Sequence, residues 1–266
     1  MVTALEVGKP LAYGKAKVQI FESQRDLGMA AARGAAERIE RAIRERGNAR
    51  VMIATGNSQL DVSAALVDDA SIDWKRVDIF HMDEYVGLSA EHPASFRKWI
   101  KERVEDRVHP ASASYIDGDA EDIGVELARY TKLLQEGPID VAFVGFGENG
   151  HIAFNDPAMA DFFDPLMVKC VDLDADCRAQ QVHEGHFESV EDVPSQALSV
   201  SCSGLLRASS WICCVPEGRK AQAVHRALNG PISIACPASI VRLHRDASVY
   251  LDQDSAALLD QPSLQD

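Results

Sequence analysis

Three stretches of this chain place acid–base or anion-binding side chains where short apolar runs end. The richest is Gly145-Phe146-Gly147-Glu148-Asn149-Gly150-His151-Ile152-Ala153-Phe154-Asn155-Asp156-Pro157, with three glycines in its first six positions. Glycines at that density let a backbone come close to a ligand. His151 follows at once, and imidazole is the side chain that moves protons near neutral pH. Asp156 lies five residues on, near enough to turn back toward the ring. The Gly-x-Gly-x-x-Gly spacing alone is weak evidence for a dinucleotide. No acidic residue closes a following strand as such a site requires, so that reading is set aside.

The second stretch carries Asp83 and Glu84 beside Tyr85, after the apolar run Arg76–His81. A carboxylate at a strand end serves as base, acid, metal ligand or helix cap, and residue type alone leaves these open. The third is Thr55-Gly56-Asn57-Ser58. A turn of Gly and hydroxyl residues between strand and helix presents free N–H groups to an anion. It also reads simply as a capped helix start. No Gly-Lys-Ser/Thr follows, which excludes a Walker loop. Two cationic features complete the set. Arg219 and Lys220 stand in the first turn of a predicted helix, where they oppose its dipole and so point to another role. Arg178 stands in a less regular segment and reads equally as a solvated surface charge.

These loops need a frame. Leu27, Ala31, Ala35 and Ile39 recur at helical spacing across residues 21–46. Short apolar strands are predicted at 50–54, 76–81, 139–144, 197–201 and 211–215. Helices are expected after Ser58, near 95–104, at 121–135 and at 217–228. Such alternation indicates an α/β fold with a mostly parallel sheet flanked by helices. Ligands then bind beyond the carboxyl ends of the strands, which selects the loops after Ala54, His81 and Val144. No linker or repeat divides the chain, so a single domain over 1–266 is expected, with a lid around 158–193.

Composition narrows the function classes. The chain has 266 residues, 26% of them charged, and a net charge of −14. That charge argues against nucleic acid and anionic membranes as partners. No apolar run approaches the length of a membrane span, and residues 1–17 lack the pattern of a secretory leader. Six cysteines without paired spacing read as reduced thiols of a cytoplasmic protein. His183 and His186, with Glu184 and Glu188, offer a zinc reading, but no third ligand of clear spacing accompanies them. The chemistry read here calls for no metal and no cofactor. Trp99, Trp211, Phe80 and Phe143 read as packing. The sequence leaves homo-oligomerisation open.

Taken together, Phe80-His81-Met82-Asp83-Glu84-Tyr85-Val86-Gly87, then Glu91-His92-Pro93, and above all Gly147 to Pro157, closely resemble the glucosamine-6-phosphate deaminase family. The similarity runs in order from about Ile53 to Leu251. The related 6-phosphogluconolactonases share the Gly-x-Gly-x-x-Gly-His core but continue with a Ser-Leu-Phe-Pro type sequence where this chain has Phe154-Asn155-Asp156-Pro157. The resemblance implies a Rossmann-like fold, a sugar-phosphate substrate, and conversion of glucosamine 6-phosphate to fructose 6-phosphate and ammonia. It implies Asp83 as the base moving a proton between carbon 2 and carbon 1, and His151 as the group that opens the sugar ring. Asn149 and Asp156 would support His151, standing where relatives commonly have Asp and Glu. Thr55 to Ser58, Lys220 and Arg178 would hold phosphate, with Glu84, Gly147 and Gly150 around the sugar. The alternatives are a lactonase-like hydrolase, another hexose 6-phosphate isomerase, or a sugar-phosphate-binding regulator without catalysis. Asp83 and His151 together favour an enzyme.

Overall fold

The computed structural model describes residues 7–262. Part of the N-terminal stretch read above for a leader, residues 1–6, lies outside the described residues.

Eight strands form the main sheet. In chain order they are β1 (Leu11–Tyr13), β2 (Ala16–Phe21), β3 (Ala49–Ile53), β4 (Val77–His81), β6 (Ser112–Ser114), β7 (Val141–Val144), β10 (Ser210–Val215) and β11 (Ala247–Asp252). Their spatial order is β1-β2-β11-β10-β7-β3-β4-β6. Only the β1–β2 pair is antiparallel. The central strands β3, β7 and β10 are apolar on both faces because helices cover both. The helices are α1 (Gln24–Arg46), α2 (Leu60–Val67), α3 (Phe96–Ile100), α4 (Asp106–Val108), α5 (Ile123–Gln135), α6 (Ala175–His183), α7 (Cys202–Leu206) and α8 (Ala221–Leu228).

α1 shows why the helices sit where they do. Ser23 accepts a hydrogen bond from the Asp26 N–H at its start, and Gly47 in the left-handed region ends it. Between them Leu27, Ala31, Ala35 and Ile39 are buried. Burial of a side chain such as Ile39 is worth roughly 1.5–3 kcal/mol. Phe80, Phe143, Trp99 and Trp211 are buried too, as expected of packing residues.

The strand order positions the site. From β3 the chain proceeds through α2 to β4 on one side, whereas from β7 it proceeds to β10 on the other. β3 and β7 are neighbours, so the loops that leave them diverge and open a crevice at the topological switch point.

The remaining strands, β5 (Asp83–Tyr85), β8 (Val168–Asp172) and β9 (Gln196–Val200), form a separate antiparallel sheet in the order β5-β9-β8. The run predicted as a strand at 197–201 is therefore β9, outside the parallel sheet. The segment read as irregular after Asp156 contains both β8 and α6. Their weak signals have a physical cause: β8 is five residues long with lysine and cysteine inside it, and α6 is largely polar. A second apolar cluster, with Tyr85, Phe96, Phe154, Cys177, Phe187 and Val193, lies beneath α6. No helix among the described residues is long and apolar enough to cross a membrane.

Candidate active site

All three loops selected from the sequence meet at one cavity. Residues 54–58, Met82, Asp83, residues 145–147, His151, Ala153 and Phe154 line it. The segment after β10 adds Arg219 and Lys220, and the region of α6 adds Gln180, Gln181, Glu184 and His186.

Asp83 reaches the cavity because the chain leaves the main sheet at His81 and crosses into the second sheet. There the Val200 N–H donates to the Met82 carbonyl at 2.7 Å, and Asp83 pairs with Ser199. The Asp83 residue is 8% exposed, and its carboxyl accepts no hydrogen bond from the described residues. Burial, and then the Glu84 charge beside it, push that carboxyl up to about 8. A half-desolvated carboxylate without a partner is a stronger base than a solvated one.

Glu84 goes the other way. Its side chain is fully buried and accepts from Ser95 Oγ at 2.8 Å and from the N–H groups of Tyr85 and Arg97 at 3.0 Å, with Arg97 Nε at 3.3 Å. It does not line the cavity. The expectation that Glu84 contacts substrate is corrected: alternation along β5 turns it inward, where it ties the start of α3 to the strand.

His151 sits at the head of a compact polar network. Its Nδ1 lies 2.9 Å from Asn149 Oδ1 and 3.0 Å from Asp156 Oδ1. Asn149 Oδ1 also accepts from the His151 N–H at 2.9 Å, while Asn149 Nδ2 donates to Asp156 Oδ1 at 2.9 Å. With two acceptors facing Nδ1, the ring proton of a neutral imidazole belongs there, and Nε2 is left as the acceptor available to a ligand. Burial raises the Asp156 carboxyl, but His151 and Asn149 prevail and hold it below the usual range. Neither Asn149 nor Asp156 lines the cavity; they touch the imidazole from behind.

Glycine is required twice in this loop. A Cβ on Gly147 would come within 2.4 Å of the His151 ring. Gly150 has φ +91°, and a Cβ there would meet Cys236 Sγ at 2.6 Å. Gly150 therefore shapes the turn and does not line the cavity, which corrects the expectation that it contacts the sugar.

Lys220 projects a side chain only 5% exposed, and its closest carboxylate oxygen, from Glu184, is 3.7 Å away. Burial lowers its pKa. Arg219 Nη1 contacts Glu184 at 2.9 Å and Glu148 at 3.1 Å, and its Nε contacts Glu217 at 2.6 Å. The expectation, implied by the family resemblance, that Arg178 holds phosphate is corrected. In the structure its guanidinium donates to the carbonyls of Val190 and Val193 and does not line the cavity. Arg219 is the arginine of this site. Its position after a buried strand was the available signal.

His183 and His186 gather no third metal donor among the described residues. The grouping that does bring donor atoms within 4.8 Å is His151, Asp156 and Cys177, where the carboxylate is already engaged by Asn149.

Residues 22–250 match the family described as glucosamine-6-phosphate isomerases/6-phosphogluconolactonase. A glucosamine-6-phosphate deaminase of Listeria monocytogenes is 35% identical over 87% of this chain and 96% of its own length. One from Bacillus cytotoxicus is 31% identical over 91% and 88%. Among solved structures, a monomeric glucosamine-6-phosphate deaminase superposes with a TM-score of 0.83 at 28% identity, covering 91% of this chain and 99% of that one. The 6-phosphogluconolactonase of Trypanosoma brucei shares the fold, with a TM-score of 0.73 at 18% identity.

Proposed function

The chain belongs to the glucosamine-6-phosphate isomerase/6-phosphogluconolactonase family, and from that premise we propose that it isomerises and deaminates glucosamine 6-phosphate, giving fructose 6-phosphate and ammonia. One observation carries the reading: Asp83, buried and with no hydrogen-bond partner for its carboxyl among the described residues, shares its cavity with His151 and with the cations Arg219 and Lys220.

In this reading the turn Thr55 to Ser58 and Lys220 hold the phosphate, whose binding energy positions the distant reacting carbons. His151 Nε2 takes the proton from the anomeric hydroxyl and returns one to the ring oxygen, which opens the sugar. Asp83 removes the proton from carbon 2 and delivers it to carbon 1 while a proton passes from the amino nitrogen to oxygen 1, so the 2-amino aldose becomes the 2-imine of the ketose. Water adds to carbon 2, ammonia leaves from the resulting carbinolamine, and the ketone remains. Asn149 and Asp156 keep the imidazole in the tautomer that this sequence needs. Every residue used comes from one chain, so the reading does not depend on an oligomer. The region of α6 is the proposed lid, and six free cysteines support a cytoplasmic setting.

The test is ammonia release measured across glucosamine 6-phosphate, other hexosamine 6-phosphates and hexose 6-phosphates, with hydrolysis of 6-phosphogluconolactone followed in parallel. Ammonia release from glucosamine 6-phosphate is expected. Lactone hydrolysis without it sinks the proposal.

A further inference from the structure

Glu184 occupies an odd place for a carboxylate in a site built to receive an anion. Its Oε1 lies 2.9 Å from Arg219 Nη1 and 3.7 Å from Lys220 Nζ, inside the cavity wall. It follows the last residue of α6, and Gly185 behind it has φ +79°, a turn that ends the helix. The other two carboxylates on Arg219 differ in origin. Glu217 belongs to the segment after β10 and Glu148 to the loop after β7, both fixed to the parallel sheet. Glu184 comes from the α6 region. Its own fastenings are Gln180 Nε2 at 2.9 Å, His186 at 3.5 Å and a long 3.4 Å bond from Asn57 to its carbonyl.

Lys220 is the telling partner. Its ammonium receives no hydrogen-bonding acceptor from the described residues, because 3.7 Å is beyond hydrogen-bond range. An anion arriving from the cavity could approach it more closely than Glu184 does. That anion would then face the Glu184 carboxylate at short range in a half-buried site, where like charges repel strongly.

We propose that Glu184 is a tethered carboxylate that competes with the substrate's phosphate for Arg219 and Lys220 and must be displaced when the phosphate binds. Glu184 thus sets the affinity of this pocket for the phosphate end of the substrate. This rests on the assignment of phosphate to the Lys220 pocket.

The experiment compares wild type, Glu184→Gln, Glu184→Ala, Glu148→Gln and Lys220→Ala as full-length protein. Inorganic phosphate binding is read by calorimetry. Turnover is read with glucosamine 6-phosphate. Both Glu184 variants should bind phosphate about tenfold more tightly. Their KM for the phosphate ester should fall about tenfold, a larger change than any in kcat. Glu148→Gln, which removes an equal charge from Arg219 without touching the α6 region, should change phosphate affinity less than about threefold. The proposal is overturned if Glu184→Gln binds phosphate no more tightly than wild type, or if Glu148→Gln matches it. A Lys220→Ala variant that keeps wild-type phosphate affinity would instead remove the phosphate assignment itself.

Discussion

Asn149 Nδ2 donates to Asp156 Oδ1 at 2.9 Å, and the amide oxygen of the same Asn149 faces His151 Nδ1 at 2.9 Å. Asn149 and Asp156, the two positions at which the family resemblance implies Asp and Glu instead, are therefore in contact. The Asp156 carboxylate is steadied by a neutral amide that can donate to it, which a second carboxylate could not do.

That contact predicts the outcome of replacing the amide by a carboxylate. Asn149→Asp would set two carboxylates roughly 3 Å apart, remove the amide N–H that now joins them, and leave both to share the His151 donors. Stability at pH 7.5 should drop by about 1–3 kcal/mol, and kcat should fall. Urea unfolding alongside turnover measures both. If Asn149→Asp is as stable and as active as wild type, Asn149 and Asp156 are not coupled in this way.

Asp83→Asn keeps the shape of the side chain and removes its basicity. Turnover should fall by about a thousandfold or more, and KM should stay within a few-fold, because the group acts in the transition state. Near-normal kcat in this variant would mean that Asp83 takes no proton.

Asp83 also makes a statement about folding. Its carboxyl is raised from the ordinary value of 3.8 to about 8, by burial first and the Glu84 charge second. Between those values the folded chain holds a proton that the unfolded chain has released. The group therefore costs no stability below about pH 4, and its cost grows as pH rises toward 8, by at most about 1.4 kcal/mol per pH unit. Asp83→Asn should remove that cost. Its Tm advantage over wild type should be larger at pH 8.5 than at pH 5. An advantage independent of pH would show that Asp83 titrates normally.

The frame and the site were legible to different depths. Amphipathic α1 and the apolar runs of β3, β4, β7 and β10 carry strong local signals, and the switch-point rule then selected the loops at 55–58, 82–83 and 145–151 without further knowledge. β5 and β8 were not legible. β5 is only Asp83–Tyr85, and its strand character comes from pairing with β9, more than a hundred residues later. Without that second sheet nothing in the sequence says that Asp83 faces the cavity while Glu84 turns inward. The cations failed for a similar reason. Arg178 and Arg219 look alike in sequence, and only the path of residues 184–193 decides which of them meets carbonyls and which meets the cavity.

That last distinction gives a direct comparison of cations. Lys220→Ala removes a buried ammonium 5% exposed at the cavity wall. A charge-assisted contact of that kind is worth about 1.5–3 kcal/mol, so phosphate should bind roughly ten- to a hundredfold more weakly. Arg178→Ala removes donors from the Val190 and Val193 carbonyls and nothing from the cavity. Its phosphate affinity should stay within about threefold of wild type, while the Val193 carbonyl loses its partner, the Val190 carbonyl keeps only the Val193 N–H, and stability falls by about 1–3 kcal/mol. Calorimetry with inorganic phosphate and urea unfolding on the same two variants separate the effects. If Arg178→Ala weakens phosphate binding as much as Lys220→Ala does, residue 178 reaches the anion after all, and the α6 region must rearrange further on binding than the displacement of Glu184 requires.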